Sequence, residues 1–265
     1  IMIDFEKLGK LWGENFALIG YGALSTLILS ILGTLFGLIL GIFLAYGKNV
    51  KIKSSDKAIM KALKGICLAF CNVYSVLLRG TPMMVQALLF KFGCSAIGIN
   101  WGNIYFEGEI NNVFNGWMFA GLIVITFNTA AYMGEIIRSG LNGVDVGQVE
   151  GARSLGLSSS LTSIHVILPQ ALKNALPTIG NELIVNIKDS SVLNVISVTE
   201  LYYRMNLIAG STYAFMEAYL ILAIVYLIMT LLASFILKII EKKLNGVKFS
   251  LNPFRFLKRY TYGKQ

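Results

Sequence analysis

The chain has 265 residues, of which 55% are hydrophobic and only 14% are charged. A soluble domain carries about a quarter charged residues, so this composition excludes a water-soluble globular protein and favours bilayer-spanning segments of about 20 residues. The net charge of +9 does not indicate nucleic-acid binding, because most of the basic residues fall in 48–64 and 238–265, beside long apolar runs.

Three long apolar runs each predict one membrane span, at about 16–46, 113–138 and 213–238. The first run is uncharged throughout and is too long for the apolar core of a signal peptide. Because Asp4 and Glu6 also precede it, we do not expect a cleavable signal peptide.

Two further apolar regions are interrupted. The region 62–97 contains Gly80, which loosens a helix, and Pro82, which removes a backbone donor, so it predicts one long, broken span. The region 175–199 is apolar apart from three charged residues and predicts another span. The sequence therefore predicts an all-α polytopic membrane protein with five transmembrane helices.

The charges of the connecting segments predict the orientation of these spans. The segment 47–61 has five lysines and one acidic residue, which places it in the cytoplasm, and the basic tail after residue 238 lies on the same side. The segment 98–112 has two glutamates and no basic residue, which places it outside. The N-terminus is then outside and the C-terminus inside, which requires an odd number of spans, and five satisfies it.

The loop 139–174 is polar for this chain and lies in the cytoplasm in that topology. It predicts two short helices, 145–155 and 158–168, of which the first ends at Gly156 and the second stops before Pro169. The pair is either a compact connection between two spans or a docking surface for a partner protein.

The spacing within this loop resembles the Glu-Ala-Ala loop of bacterial ABC importer permeases. In that family the pattern is Glu-Ala-Ala, three residues, Gly, nine residues and Ile-x-Leu-Pro. The matching positions are Glu150, Ala152, Gly156, Leu168 and Pro169, whereas Gly151 and Val166 stand where the family has Ala and Ile. In the family this loop forms a coupling helix that fits a cleft on the cytoplasmic ATPase.

Further motifs are similar to those of the polar amino-acid permeases of histidine, glutamine and arginine uptake systems. The resemblance covers residues from about 18 to 240. Its motifs are Arg79-Gly80-Thr81-Pro82 with Gln86, Ala131-Tyr132-x2-Glu135-x2-Arg138, Gly147-Gln148, Leu168-Pro169-Gln170-Ala171 and Lys188-Asp189-Ser190-Ser191, in which Ser190 stands where many members have Thr.

The resemblance implies one transmembrane permease domain over 1–240 and a basic cytoplasmic tail over 241–265, in the bacterial inner or plasma membrane. It implies two ABC ATPase subunits that bind ATP and Mg²⁺, a second permease in a homodimer or heterodimer, and an extracellular or periplasmic amino-acid-binding protein. We expect this chain to bind no cofactor or metal itself and to carry no catalytic residue. The expected ATPase-coupling residues are Glu150, Gly151, Ala152, Arg153, Leu155, Gly156, Leu157 and Pro169.

Polar side chains within the spans are candidates for the substrate route, because a charge at the bilayer centre is costly and is retained for function. Lys188 lies 11 residues past Pro177, which is about 16 Å along a helix and near the middle of the membrane. Lys188 and Asp189 either line the route or form a neutral pair between helices. The candidates are Arg79, Thr81, Gln86, Asn128, Thr129, Tyr132, Glu135, Glu182, Lys188, Asp189, Ser190 and Ser191.

Several of these candidates have an alternative structural role. Arg79 binds a substrate carboxylate at the broken span or extends its side chain to lipid headgroups. Asn128 and Thr129 contact substrate or hydrogen-bond another helix, and Glu135 forms a helix-surface ion pair with Arg138 three residues later. The sequence does not distinguish between these roles.

The expected function is that of the transmembrane subunit of an ATP-driven importer for a polar or charged amino acid, working by alternating access. An ion channel or a passive membrane scaffold is the alternative, but neither explains the 150–169 spacing. An intramembrane enzyme is disfavoured because one loop histidine and scattered cysteines supply no nucleophile–base pair within the spans.

Overall fold

Helices form every regular element of residues 4–244, the part of the chain that this computed structural model describes. The prediction of an all-α protein is confirmed, and the predicted tail 241–265 lies outside the described residues from position 245 onward. The helices are α1 (Phe5–Lys48), α2 (Ala58–Gly80), α3 (Met83–Ala96), α4 (Gly116–Asn142), α5 (Val146–Ser154), α6 (Ser159–Thr162), α7 (Leu168–Asp189), α8 (Leu201–Thr212) and α9 (Phe215–Leu244).

Four of these helices, α1, α2, α4 and α9, are long and apolar enough to cross a membrane. Their outward surfaces carry large apolar side chains, such as Phe43, Phe70 and Leu231, each of which is at least half exposed. A soluble protein avoids apolar patches of this extent, so the surface is suited to lipid. The charged helix α7 does not meet the same criterion of length and composition.

The contact between α1 and α4 depends on three glycines spaced four residues apart in α1. Small residues at this spacing allow two helix backbones to approach closely within a membrane. A Cβ atom at Gly37 would lie 2.7 Å from Cγ2 of Thr129, so no larger residue fits without displacement. The glycines Gly33, Gly37 and Gly41 face Ile125, Thr129 and Met133 in that order, and α1 and α4 therefore run in the same direction.

The helix α7 runs opposite to α4. Near its start, Ala175 faces Gly140 at the end of α4, and near its end Asn186 bonds to Thr129 at the middle of α4. A 3-10 helix, Ser190–Ile196, then continues in the same direction until Val198 reaches Gly121.

The helix α9 returns in the direction of α1 and α4. Its beginning lies beside the start of α1, where the backbone N–H of Asp4 donates to Glu217 at 3.5 Å. Its far end lies beside the middle of α7, where Gly180 faces Leu237.

The pair α2 and α3 runs in the opposite direction to α1, like α7. Cys71 of α2 lies against Gly47 at the end of α1, and Phe90 of α3 stacks on Trp101 beside the start of α4. The described bundle therefore has three helices in one direction and two helical paths in the other. The predicted break is present, because α2 ends at Gly80 and α3 begins at Met83.

The expectation that a helix stops before Pro169 is wrong. Helical backbone runs from Ser159 to Asp189, with a π-helical turn at Ser163–Ile167 immediately before α7. Proline is tolerated in the first turn of a helix, where its missing N–H needs no partner, and the wider π turn accommodates the ring. The segment that contains α5 and α6 is therefore joined to α7 by continuous helical backbone.

Two further boundaries differ from the sequence-based expectation. The first helix begins at Phe5 rather than near residue 16, because the Asp4 carboxylate caps it and accepts the N–H groups of Glu6 and Lys7 at 3.1 Å. The segment between the predicted spans 175–199 and 213–238 contains α8, whose N-cap is Glu200. Apolar side chains of α8 pack on α1 and α9 in one core cluster, which explains the helix.

Replacing Gly37 with Ala tests the glycine contact. The added methyl group would overlap Thr129, so we expect the free energy of unfolding in detergent to fall by about 1–3 kcal/mol. Gly20→Ala is the matched control, because Gly20 is exposed on the same helix and a Cβ there meets no atom within 4 Å. Equal melting temperatures of the two variants would contradict a close contact between α1 and α4 at Gly37.

Candidate functional site

The side chain of Gln86 donates hydrogen bonds to backbone carbonyls at the break between α2 and α3. Its amide nitrogen donates to the carbonyls of Leu78 (2.8 Å) and Thr81 (2.9 Å), and lies 2.9 Å from the Thr81 hydroxyl. Asn128 of α4 donates to the Gln86 side-chain oxygen at 3.0 Å. Non-helical backbone within a membrane requires such partners, so these residues hold the break in a fixed position against α4.

A single carboxylate, that of Glu135 in α4, gathers three cations from three helices. Its Oε1 lies 2.5 Å from Nζ of Lys48 and 3.4 Å from Nη1 of Arg79, and its Oε2 lies 3.4 Å from Nε of Arg138. The Arg79 guanidinium also lies over the ring of Tyr132, 5.7 Å from its centroid. The predicted pair with Arg138 is present, but it is one contact of a network that joins the ends of α1, α2 and α4.

Thr129, although adjacent to Asn128, points to the other side of α4. Its hydroxyl donates to the side-chain oxygen of Asn186 at 3.2 Å, and the Asn186 amide donates to the hydroxyl of Thr34 at 2.8 Å. All three side chains are buried. Thr129 therefore takes the helix-bonding alternative, and it does not join the group around the break.

The charged end of α7 faces outward. Lys188 and Asp189 are exposed and form no ion pair within 4 Å among the described residues, so within this single chain they are not packed between helices. Glu182, about two helical turns before Asp189, is half-buried, and Asn181 is exposed. This face of α7 is therefore polar and uncovered by other described residues, whereas α1, α2 and α9 carry large exposed apolar side chains.

The two serines after Asp189 bond to backbone. Ser190 is buried and donates to the carbonyl of Ile187 at 2.9 Å, whereas Ser191 donates to the carbonyl of Lys188 at 2.7 Å. Both hydroxyls thereby support the change from α-helix to 3-10 helix at this point.

A cavity of about 550 Å³ lies between the second half of α4 and the first half of α7. Its polar lining consists of Glu135, Ser139, Asn174 and Thr178. The cavity therefore lies between the Glu135 network and the first half of α7, and Glu135 is the one predicted candidate among its lining residues.

The predicted coupling residues form a projecting two-helix unit. Glu150, Gly151 and Arg153 are exposed on α5, whereas Ala152 is buried. The set continues through the turn after α5 with Leu155, Gly156 and Leu157, and Pro169 stands in the first turn of α7.

Exposed apolar side chains mark this unit as a contact surface. Val146 and Leu155 are 68% and 85% exposed, and Leu161 and Ile164 on the second helical segment are also exposed. Gly156 has a φ of +82°, a conformation that side-chain-bearing residues rarely adopt, so this glycine is required by the backbone. The chain turns sharply there and brings the two helical segments together.

The sequence-based reasoning missed several polar residues that the structure places at key contacts. Lys48 was assigned only to the basic loop, yet its side chain is 4% exposed and lies against Glu135. Asn186 stands alone in an apolar run, and a lone polar residue in such a run indicates a hydrogen bond to another helix. Glu200 is fully buried, caps α8 through the N–H groups of Tyr202 and Tyr203, and accepts a bond from the Tyr226 hydroxyl.

Glu135→Gln tests the ion network. We expect the free energy of unfolding to fall by about 2 kcal/mol, because the buried Lys48 ammonium loses its counter-ion. This loss is smaller than that expected for a fully buried ion pair, because the Glu135 side chain is 29% exposed. Glu14→Gln is the matched control, since it removes an exposed pair with Lys10 at 3.9 Å and should change stability by less than about 0.5 kcal/mol. Thermal unfolding in detergent measures both, and an equal effect would reject the network.

Comparison with known proteins agrees with these features. Over 240 residues the chain is 36% identical to a putative glutamine transport system permease protein of Rickettsia conorii, covering 91% of this chain and 98% of the relative. It is 32% identical over 201 residues to an arginine transport system permease protein of Bacillus subtilis, covering 71% of this chain and 86% of the relative.

The chain is also similar to solved structures of ABC transporters. An amino acid ABC transporter crystallised with histidines matches with a TM-score of 0.75 and 33% identity, covering 92% of this chain and all of that chain. The methionine ABC transporter MetNI in an inward-facing form, at 16% identity and a TM-score of 0.59, shares the fold. Residues 37–246 match the model of the "Binding-protein-dependent transport system inner membrane component" family, and the chain belongs to this family.

Proposed function

We propose that this chain is the permease subunit of an ATP-driven importer for a polar amino acid, with α5 as the helix that couples it to a separate ATPase. The observation that carries the proposal is the projecting unit formed by α5 and α6, whose exposed apolar side chains have no partner among the described residues. Membership of the transport family and relatives named for glutamine and arginine transport support it.

The continuous helical path from this unit into α7 supports a mechanical role. A displacement of α5 and α6 by the ATPase passes through the π turn directly to α7, because no loop intervenes. The helix α7 carries the polar face with Lys188 and Asp189 and borders the cavity at Glu135. ATPase closure therefore moves the helix that bears the route, which is the physical requirement for alternating access.

We further propose five crossings of the bacterial inner membrane, with the N-terminus outside. The opposite directions of the helical paths described above support this topology, because α1, α4 and α9 run one way and the α2–α3 and α7 paths run the other. The lysines of 48–64 then lie in the cytoplasm, as does the α5–α6 unit.

The assembly proposed is a dimer of permease subunits with two ATPase subunits and an extracellular or periplasmic amino-acid-binding protein. The uncovered polar face of α7 supports a second permease subunit, because polar side chains at membrane depth require a partner or a water-filled route. ATP and Mg²⁺ belong to the ATPase in this proposal, and the chain itself holds no cofactor. Arg79, Glu182, Lys188 and Asp189 supply charges of both signs for a zwitterionic substrate.

The glycine of the coupling turn offers a matched test. Gly156→Ala forces a side chain into a conformation with φ of +82°, at a cost of about 1–2 kcal/mol, and we expect it to weaken capture of the ATPase. Gly151→Ala, which adds the same methyl group to an exposed helical position with no atom within 4 Å, should preserve capture and stabilise α5 by up to about 1 kcal/mol. Co-purification with the ATPase measures both effects.

Two charge-changing variants complete that experiment. Glu150→Lys and Gly156→Arg should abolish ATPase association while membrane insertion stays intact. Normal co-purification by both variants would reject α5 as the coupling helix.

Uptake into proteoliposomes that contain the permease, the ATPase and the binding protein tests the transport proposal. We expect ATP-dependent uptake of a polar amino acid and a several-fold lower rate for Lys188→Gln, because a charge of the proposed route is lost. Lys173→Gln, also an exposed lysine of α7, is the control and should leave uptake unchanged. Flux without ATP would favour a channel, and absence of flux from an intact complex would favour a scaffold.

A further inference from the structure

Four exposed lysines lie close together in sequence at the start of α2 and in the segment before it. Lys51, Lys53, Lys57 and Lys61, which we call the lysine patch, are exposed and form no ion pair within 4 Å among residues 4–244. Mutual repulsion of four ammonium groups is unfavourable, so a negatively charged partner would stabilise this region.

The one acidic residue in this segment is already occupied. The Asp56 carboxylate accepts a bond from Nζ of Lys64 at 2.7 Å and from the backbone N–H of Lys53 at 2.8 Å. The hydrogen bond from the Lys64 ammonium holds the pKa of Asp56 below its usual range, so the carboxylate remains ionised and engaged. The segment 51–64 nevertheless keeps a net charge of +4.

The same part of α2 presents an apolar stripe to its surroundings. Ile59, Leu63, Ile66 and Phe70 recur at the spacing of one helix face, and each is at least 58% exposed. Lys57 and Lys61 lie on the opposite side of the helix. At the end of a helix that crosses a bilayer, such an apolar stripe contacts acyl chains while neighbouring lysines reach anionic headgroups.

The packing of α2 leaves this end free to meet lipid. Of the whole helix only Cys71 and Ser75 are buried, and both lie in its second half. The first turn has no side-chain cap and no acidic residue, so its backbone N–H groups also face outward.

We propose that the lysine patch binds the phosphate headgroups of anionic phospholipids in the cytoplasmic leaflet, with the apolar stripe in the adjoining acyl chains. The stripe discriminates a lipid from a soluble phosphate, because only a lipid supplies an apolar tail beside the charge. The cytoplasmic location rests on the proposed topology, whereas the binding itself does not depend on transport.

Binding matters for the permease because the lysine patch adjoins the Glu135 network. The segment connects Lys48, which pairs with Glu135, to α2, whose far end carries Arg79, a second partner of the same carboxylate. Lipid held at the patch would therefore restrain the segment that joins Lys48 to the start of α2.

Native mass spectrometry of the detergent-solubilised full chain, titrated with phosphatidylglycerol or phosphatidylcholine, tests the proposal. We expect preferential retention of phosphatidylglycerol that weakens as salt rises. The combined variant Lys51→Gln, Lys53→Gln, Lys57→Gln and Lys61→Gln should lose about fivefold in affinity for each lysine removed. The corresponding Lys→Arg variant should retain binding, because its charge is preserved.

The control is Lys7→Gln with Lys10→Gln, which removes two lysines from the opposite end of the bundle and should leave phosphatidylglycerol retention unchanged. Equal retention of the two lipids, or an unchanged affinity in the four-lysine variant with a normal melting temperature, overturns the proposal. So does competition by glycerol 3-phosphate, which would show that a soluble phosphate suffices. Loss of ATPase capture with unchanged lipid retention would assign the patch to a protein contact instead.

Discussion

The contact between α1 and α4 is the constraint on which the remaining packing depends. Gly33, Gly37 and Gly41 remove every side chain from one line along α1, so the backbone of α4 lies directly against it. In a bilayer, apolar side chains gain little by leaving lipid for another helix, and close backbone approach supplies the attraction instead. The other helices pack around this pair: α7 and α2 against α4, and α8 and α9 along α1.

Departures from regular helix occur where a side chain supplies the missing hydrogen bonds. Gln86 bridges the break at Thr81, and Ser190 bonds to backbone where α7 changes to a 3-10 helix. Asn186 is a buried polar group with partners of the same kind, since it connects Thr34 and Thr129 across three helices. The low-dielectric surroundings make an unpaired polar group costly, so the partners of Gln86, Ser190 and Asn186 stabilise these positions.

The charged residues discussed above fall into two groups: those that form an ion pair and those that face outward without one among the described residues. The Glu135 network pairs its cations with a carboxylate and joins α1, α2 and α4 into one body. Lys188, Asp189 and the lysine patch form no ion pair within 4 Å among residues 4–244 and face outward, toward the proposed route and the proposed lipid headgroups. The helix α7 extends from the projecting α5–α6 unit to Lys188 and Asp189, so a movement at the proposed coupling surface would reach the proposed route through continuous helix.

The sequence by itself determined the class of the protein, because composition and the lengths of apolar runs are set by the bilayer rather than by tertiary contacts. It also located the broken span, since Pro82 cannot donate a backbone hydrogen bond wherever it lies. The coupling segment was recognisable because a fixed spacing from Glu150 to Pro169 is a local property of the chain.

Only the tertiary structure decided which polar residues meet. The neighbours Asn128 and Thr129 point to different sides of α4, and Lys48 pairs with Glu135, which is 87 positions away. The local sequence does not show how a helix is rotated or which distant residue it meets. The same limit explains α8, whose helical state depends on packing against α1 and α9, and the uninterrupted path through Pro169, where a π turn outweighs the local tendency to stop.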